Sequence, residues 1–304
     1  MSAGSIPRSG TCAIALFVLP GVIASLAGEL QATPVLNGPV HLQQAQRLVD
    51  EIMLQQSNGI FEDAQGNPTN RYGGSWKSAT DPSYIQFADP VQGLLAENNT
   101  VCAPMITHML QYCYAWNWKS FTFVDPLTAS NKSSASPAPY QYIALMKQRK
   151  GFVQTPTNIG AIALGDIIAW WRPGSSSNDH AGIVAAIYFA AGRPYPVGHA
   201  QSNPLLVGCV LYPVLIVDSS SSTHTSDSRK VPIDGATVHI PGIGRGWIGL
   251  MVDAQGGIVG CTWSVPSADP AVNPTSFLNY VNPNLKWLGG STPYEVVVGR
   301  LAIP

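Results

Sequence analysis

The sequence predicts an α+β domain built on an antiparallel sheet. Amphipathic helical patterns fill the first half of the chain. Apolar runs of strand length, separated by glycines, follow one another in the second half, and no internal repeat interrupts that order. Helices first and consecutive strands afterwards are the signature of a sheet made from neighbouring antiparallel strands.

The N-terminal stretch is expected to be removed. Arg8 precedes an apolar run, Ala13–Ala24, and small residues follow at Ser25 and Ala27. This is the layout of a secretory signal peptide over residues 1–27, with cleavage after Ala27 or nearby Ala32. The run is too short for a comfortable membrane span, so no stable membrane insertion is expected after cleavage. Residues 28–40 form a linker, and 41–304 read as one domain. A secreted or periplasmic location fits the composition: only 11% of the 304 residues are charged, against 29 Gly and 25 Pro. A net charge of −1 with no basic stripe argues against a nucleic-acid partner.

From His41 to Gln56, Leu42, Ala45, Leu48, Val49, Ile52 and Met53 recur at helical spacing. Residues 57–97 are punctuated by Gly, Pro, Asn and Asp and read as loops with short ordered pieces. The next helix starts at Cys102 and runs to about Trp116, with Thr100 as the expected N-cap and Pro104 tolerated in the first turn. Cys102 shares the inward stripe of Ile106, Met109, Leu110 and Cys113, and the oriented amides at that helix end favour a negative charge. Residues 125–139 read as a surface loop, and Tyr140–Lys150 as a helix with Tyr140, Ile143, Ala144 and Met146 inward. Strands follow at Gly165–Trp171, His180–Tyr188, Val207–Val217, Thr237–Ile240, Trp247–Val252 and Ile258–Trp263.

Five cysteines are present, and Cys12 leaves with the signal. Cys102 and Cys113 cannot bridge along one helix, because eleven residues rise about 16 Å. Cys113, Cys209 and Cys261 could supply one disulfide. No clustered Cys/His spacing suggests zinc, and no metal or other cofactor is expected.

A chemical constellation emerges from the order of these elements. A cysteine at a helix start is followed by His180 opening one strand and by Asp218 ending the next. Thiol catalysis needs these three groups: a nucleophile, an imidazole that first holds and later returns a proton, and an acid that fixes the imidazole tautomer. His199, in Val197-Gly198-His199-Ala200, is the alternative third member. The polar loop after Asp218 could line a cleft and offers His224 as a substrate-binding candidate, and Arg245 lies in a glycine-rich turn, Gly242-Ile243-Gly244-Arg245-Gly246-Trp247, where it could hold a substrate carboxylate. His108 reads as a packing residue.

The helix-start Cys102, the strand Gly165-Asp166-Ile167-Ile168-Ala169-Trp170 and the strand His180-Ala181-Gly182-Ile183-Val184 together resemble the NlpC-type papain-like family of bacterial cell-wall amidases and peptidases. Tyr72-Gly73-Gly74 is similar to that family's Tyr-x-Gly-Gly element, which adds Tyr72 to the candidate substrate-binding residues. The resemblance covers roughly residues 70–225 and implies a papain-like core with a β extension over 226–304. It also implies a peptide or peptidoglycan-like substrate and a Cys102–His180–Asp218 amidase or peptidase. The chain departs from the family's Asp-Cys-Ser-Gly, having Val101-Cys102-Ala103-Pro104. That departure raises the alternative of a catalytically inactive binding module on the same scaffold, and a thiol acyltransferase would use the same groups.

Overall fold

The computed structural model describes residues 38–174, 179–189, 193–194, 208–265 and 294–303. The signal-peptide reading, most of the linker, and His199 lie outside the described residues. Helix α1 spans Val40–Ser57. Three short strands follow, β1 (Asn70–Arg71), β2 (Tyr84–Gln86) and β3 (Glu97–Asn99), forming a small sheet with β3 in the middle. Helix α2 is Cys102–Tyr114, a hairpin pairs β4 (Phe123–Val124) with β5 (Asn131–Lys132), and helix α3 is Pro139–Lys147. The rest is β: β6 (Phe152–Gln154), β7 (Ile167–Trp171), β8 (His180–Ile187), β9 (Arg193–Pro194), β10 (Val210–Ser220), β11 (Lys230–Ile233), β12 (Ala236–His239), β13 (Gly242–Val252), β14 (Ile258–Thr262) and β15 (Glu295–Leu301).

The main sheet runs β14-β13-β10-β8-β7-β15-β6 with every pair antiparallel, and β9 pairs with β10. The predicted class, α+β with an antiparallel sheet, therefore holds. Alternation along the strands sorts side chains into two cores. Ile167, Ala169, Ala181, Ile183, Leu215, Val217, Ile243 and Trp247 face the helices, packing with Leu48 and Ile52 of α1, Met105, Ile106 and Met109 of α2, and Ile143 and Met146 of α3. The opposite face carries Ile168, Trp170, Val184, Val214, Ile216, Ile248, Leu250, Cys261 and Val298. The sheet curls enough to bring β14 within contact of β15, so this second face encloses its own core.

Two strands depart from expectation in ways that matter. Asp218 does not end its strand: β10 continues to Ser220, pairing Asp218 with Gly244 and Ser220 with Gly242. The segment Gly242–Trp247 is accordingly not a turn but the first half of β13. Its glycines are there for close approach. A Cβ at Gly244 would stand 2.7 Å from Arg229 Cγ, and one at Gly246 would stand 2.7 Å from His224 Cβ. Helix α2 also starts differently, with Val101 in the N-cap position and no side chain closing its first amides. Thr100 instead donates from Oγ1 to Asn98 Oδ1 at 2.6 Å. The disulfide expected among Cys113, Cys209 and Cys261 is not formed, because Cys113 and Cys261 are free thiols. No described helix is long and apolar enough to cross a membrane.

The sequence pattern gave no strand at Glu295–Leu301, yet β15 is inserted between β7 and β6. Arg300 anchors it, donating from Nε and Nη2 to the buried carboxylate of Asp166 at 2.9 Å and from Nη2 to Ala161 O at 2.7 Å. Replacing Arg300 with Ala leaves Asp166 short of its partners, and about 1–3 kcal/mol of stability should be lost in urea unfolding. An unchanged urea midpoint would show that β15 is held by its backbone alone.

Candidate active site

The site forms where the N-terminal tip of α2 meets the ends of β8 and β10. Short polar contacts place that tip. Asn70 caps the end of β13 from both sides, its Nδ2 donating to Ile243 O at 2.9 Å and its Oδ1 accepting from Ile243 N at 2.8 Å. Asn98 Nδ2 bonds Asn70 Oδ1 and Arg71 O, so β1 and β3 are tied to the main sheet. Immediately before Cys102, the Thr100 carbonyl accepts from Ser219 Oγ of β10 at 2.6 Å. Gly74 has φ +71, and a Cβ there would stand 2.5 Å from Asn99 O, so only glycine lets the Tyr72 loop lie across β3.

His180 and Asp218 lie on neighbouring strands and share the face of the second core. His180 Nε2 donates to Asp218 Oδ2 at 2.6 Å. Its other nitrogen remains for the Cys102 thiol, which is within hydrogen-bonding reach of the ring. Gly182, two residues along β8, keeps the strands close: a Cβ there would meet Val217 O at 3.2 Å. Trp170 and Trp263 wall the imidazole, their ring centroids 4.9 and 5.0 Å from its own. Burial disfavours a charged imidazole here, but the negative charge of Cys102 and the Asp218 hydrogen bond outweigh it and push the His180 pKa up to about 9.

Asp218 has no exposed surface. Burial favours its neutral form, yet the charges of Arg229 and His224 and the two imidazole hydrogen bonds hold it well below the ordinary carboxylate range. Arg229 Nη2 lies 3.0 Å from Asp218 Oδ1, and His224 Nε2 lies 2.8 Å from Oδ2. Arg229 is itself gripped by Asp227, through Nε at 2.8 Å and Nη2 at 2.6 Å. Tyr72 is half-buried beside this cluster. Burial, then the negative charges of Cys102, Asp179 and Asp218, push its phenol above the ordinary value, which keeps the hydroxyl a proton donor.

Cys102, His180, Asp218, Tyr72 and His224 are thus brought together. His224 does not line a surface, since it is buried with both ring nitrogens engaged. Arg245 sits on the helix-facing side of β13 and pairs with Asp50 of α1 at 2.8 Å, a contact that fastens α1 to the sheet. His108 packs as expected, its Nε2 bonded to Ser83 Oγ at 2.6 Å and its ring 4.6 Å from Trp76. Sequence reasoning missed Asp227, Arg229, Trp263 and Asp179 as members of the site. The available signal was charged residues in a loop, His224-Thr225-Ser226-Asp227-Ser228-Arg229, facing a strand with glycine at alternate positions.

His180, Asp218 and His224 also offer three potential metal-ligand atoms within 4.8 Å of one another. Ligand atoms on one tetrahedral zinc stand roughly 3.3 Å apart, given bonds of about 2.0–2.1 Å. The imidazole–carboxylate distances of 2.6 and 2.8 Å are shorter, and Arg229 adds a cation to the same carboxylate. The geometry is that of a hydrogen-bonded charge network.

Compared with family models, with curated proteins and with solved structures, the chain matches none.

The two shifted groups set the pH dependence of stability. His180 binds its proton more tightly folded than unfolded, so its contribution is complete below pH 6.5 and is lost as the pH rises through about 9. Asp218 acts in the opposite sense. Its contribution is present above pH 3.8 and is lost as the pH falls through its lower folded value. In Cys102→Ala the charge that raises His180 is gone, so the alkaline loss of stability should be smaller and complete at lower pH. Urea midpoints measured across the alkaline range for both proteins check this. Superimposable curves would mean that the sulfur does not influence the ring.

Proposed function

We propose that the protein is an exported thiol hydrolase that cleaves an amide or peptide bond, cell-wall peptides being the substrate class suggested by its likeness to the NlpC-type papain-like enzymes. The observation that carries this reading is a sulfur at an uncapped helix tip facing an imidazole whose far nitrogen is held 2.6 Å from a buried carboxylate. The separate parts are ordinary in proteins. Their conjunction in this order is what nucleophilic thiol chemistry requires.

The reaction follows from the geometry. The thiolate of Cys102 attacks the carbonyl carbon while His180 stands by as imidazolium. Negative charge develops on the substrate oxygen, where the free first-turn amides of α2, including that of Cys102, can stabilise it. Tyr72, held protonated beside the sulfur, is a further donor to the same region. His180 gives its proton to the leaving amine, the C–N bond breaks, and a thioester remains on Cys102. The neutral imidazole then takes a proton from water, hydroxide adds to the thioester, and the acid is released as the thiolate reforms. Asp218 keeps the imidazole in one tautomer throughout and stays ionised itself.

An acyl transferase would use the same groups with an amine in place of water. Product analysis in the presence of amine acceptors separates the two outcomes. A binding module descended from such an enzyme predicts an inert thiol.

Iodoacetamide should abolish hydrolysis of amide and wall-peptide substrates by modifying Cys102. Cys102→Ala should fold normally and lose activity by about 10³-fold or more. Full activity in that variant would reject the proposal, and a wild-type thiol that resists alkylation would favour the binding module.

A further inference from the structure

The cluster behind Asp218 contains a second imidazole with an unusual set of partners. His224 Nδ1 faces the carbonyl oxygen of Trp263 at 2.6 Å, and a carbonyl only accepts. Its Nε2 faces Asp218 Oδ2 at 2.8 Å, and that oxygen belongs to a carboxylate held ionised by Arg229. A neutral imidazole has one N–H and one bare lone pair, so either tautomer would aim a lone pair at an acceptor inside the protein. Only the ring carrying both protons satisfies both contacts.

Charge balance points the same way. Asp218, Asp227, Arg229 and His224 are all buried, the last only 1% exposed. With His224 charged, two acids meet two cations and the cluster is neutral. With the His180 imidazolium counted against the Cys102 sulfur, a neutral His224 would leave Asp218 and Asp227 sharing the one buried guanidinium of Arg229, an expensive arrangement. The loop is built to hold the ring in place: His224 N donates to Asp227 Oδ2 at 2.6 Å, and Gly246 leaves room for both side chains on β13.

We infer that His224 is held as a doubly protonated imidazolium and serves as a positioning residue, orienting the Asp218 carboxylate and moderating its pull on the His180 proton. The role in catalysis rests on the proposed thiol chemistry, whereas the protonation state does not. His180 faces Cys102 from α2, Asp218 from β10, its neighbour Asp179 and, with ring centroids 6.2 Å apart, His224, while Tyr72 faces both Cys102 and Asp218. Behind His224 stand Asp227 and Arg229, with His239 beyond them. Among the described residues, His224 stands against both Asp218 and the His180 ring. Its removal strengthens the field of Asp218 on His180 and relieves repulsion between two cations, and both effects tighten the His180 proton.

The test uses the whole protein with ¹⁵N-labelled histidine and needs no substrate. In the folded wild type at neutral pH, both ring nitrogens of His224 should show directly bonded protons. A ring with one bare nitrogen would overturn the proposal. In His224→Gln, which keeps a donor for Asp218 but removes the charge, the His180 titration should move upward by about one pH unit. A merely structural residue would alter stability and leave that titration in place, and an unmoved or lowered His180 transition would overturn the positioning role. If His224→Gln fails to fold, the wild-type spectrum still decides the protonation state. An unreactive Cys102 in the same sample would defeat the thiol hydrolase reading without touching this one.

Discussion

A carboxylate with no exposed surface governs the arrangement of this protein. Asp218 lies in the middle of the sheet, on the face that closes over its own apolar core, and an isolated charge there would be costly to take from water. The surrounding chain compensates both oxygens: His180 and His224 donate to one, and the Arg229 guanidinium forms an ion pair with the other at 3.0 Å. Much else follows from that need. The loop after β10 folds back to deliver two cations, β13 gives up side chains at Gly244 and Gly246 to admit them, and Asp227 fixes the guanidinium.

The sulfur is positioned by different means. Cys102 sits at a helix tip, and that tip is pinned through backbone carbonyls and small amides. Ser219 holds Thr100, while Asn70 and Asn98 stitch the strands before the helix to the end of β13. These contacts run from the element carrying the carboxylate to the element carrying the thiol. The sulfur and the imidazole are therefore both referenced to β10, through Ser219 on one side and Asp218 on the other.

Much of this was legible in the sequence, and the reasons for success and failure are physical. Helical spacing in Leu42–Ile52 and strand-length apolar runs such as Val214–Val217 located most elements within a few residues, because each buries one face or both. Cys102, His180 and Asp218 could be named because their residue types and order are restrictive. The buried polar network could not. His224, Asp227 and Arg229 look like a solvated loop until the glycines opposite them are known to lie on a strand. Gly242–Gly246 reads as a turn because three glycines in five residues lack the apolar alternation of a strand, and Arg245 gains its partner Asp50 from a helix distant in the chain. Thr100 offers a hydroxyl where a cap is expected, but Asn98 claims it first.

The placement of β15 bears on how the molecule can be made and divided. Ile167–Trp171 is flanked by His180–Ile187 on one side and by Glu295–Leu301 on the other, so the strand waits on one edge for a neighbour synthesised much later. Until residue 301 is available, a fully buried hydrophobic strand has one row of amides and carbonyls unsatisfied, a ready template for pairing with another chain. A fragment trimmed to the span from Cys102 to Asp218 would keep the sulfur, the imidazole and the carboxylate and leave that edge of β7 unpaired. Expression of this protein is thus better served by full-length chains than by minimal ones.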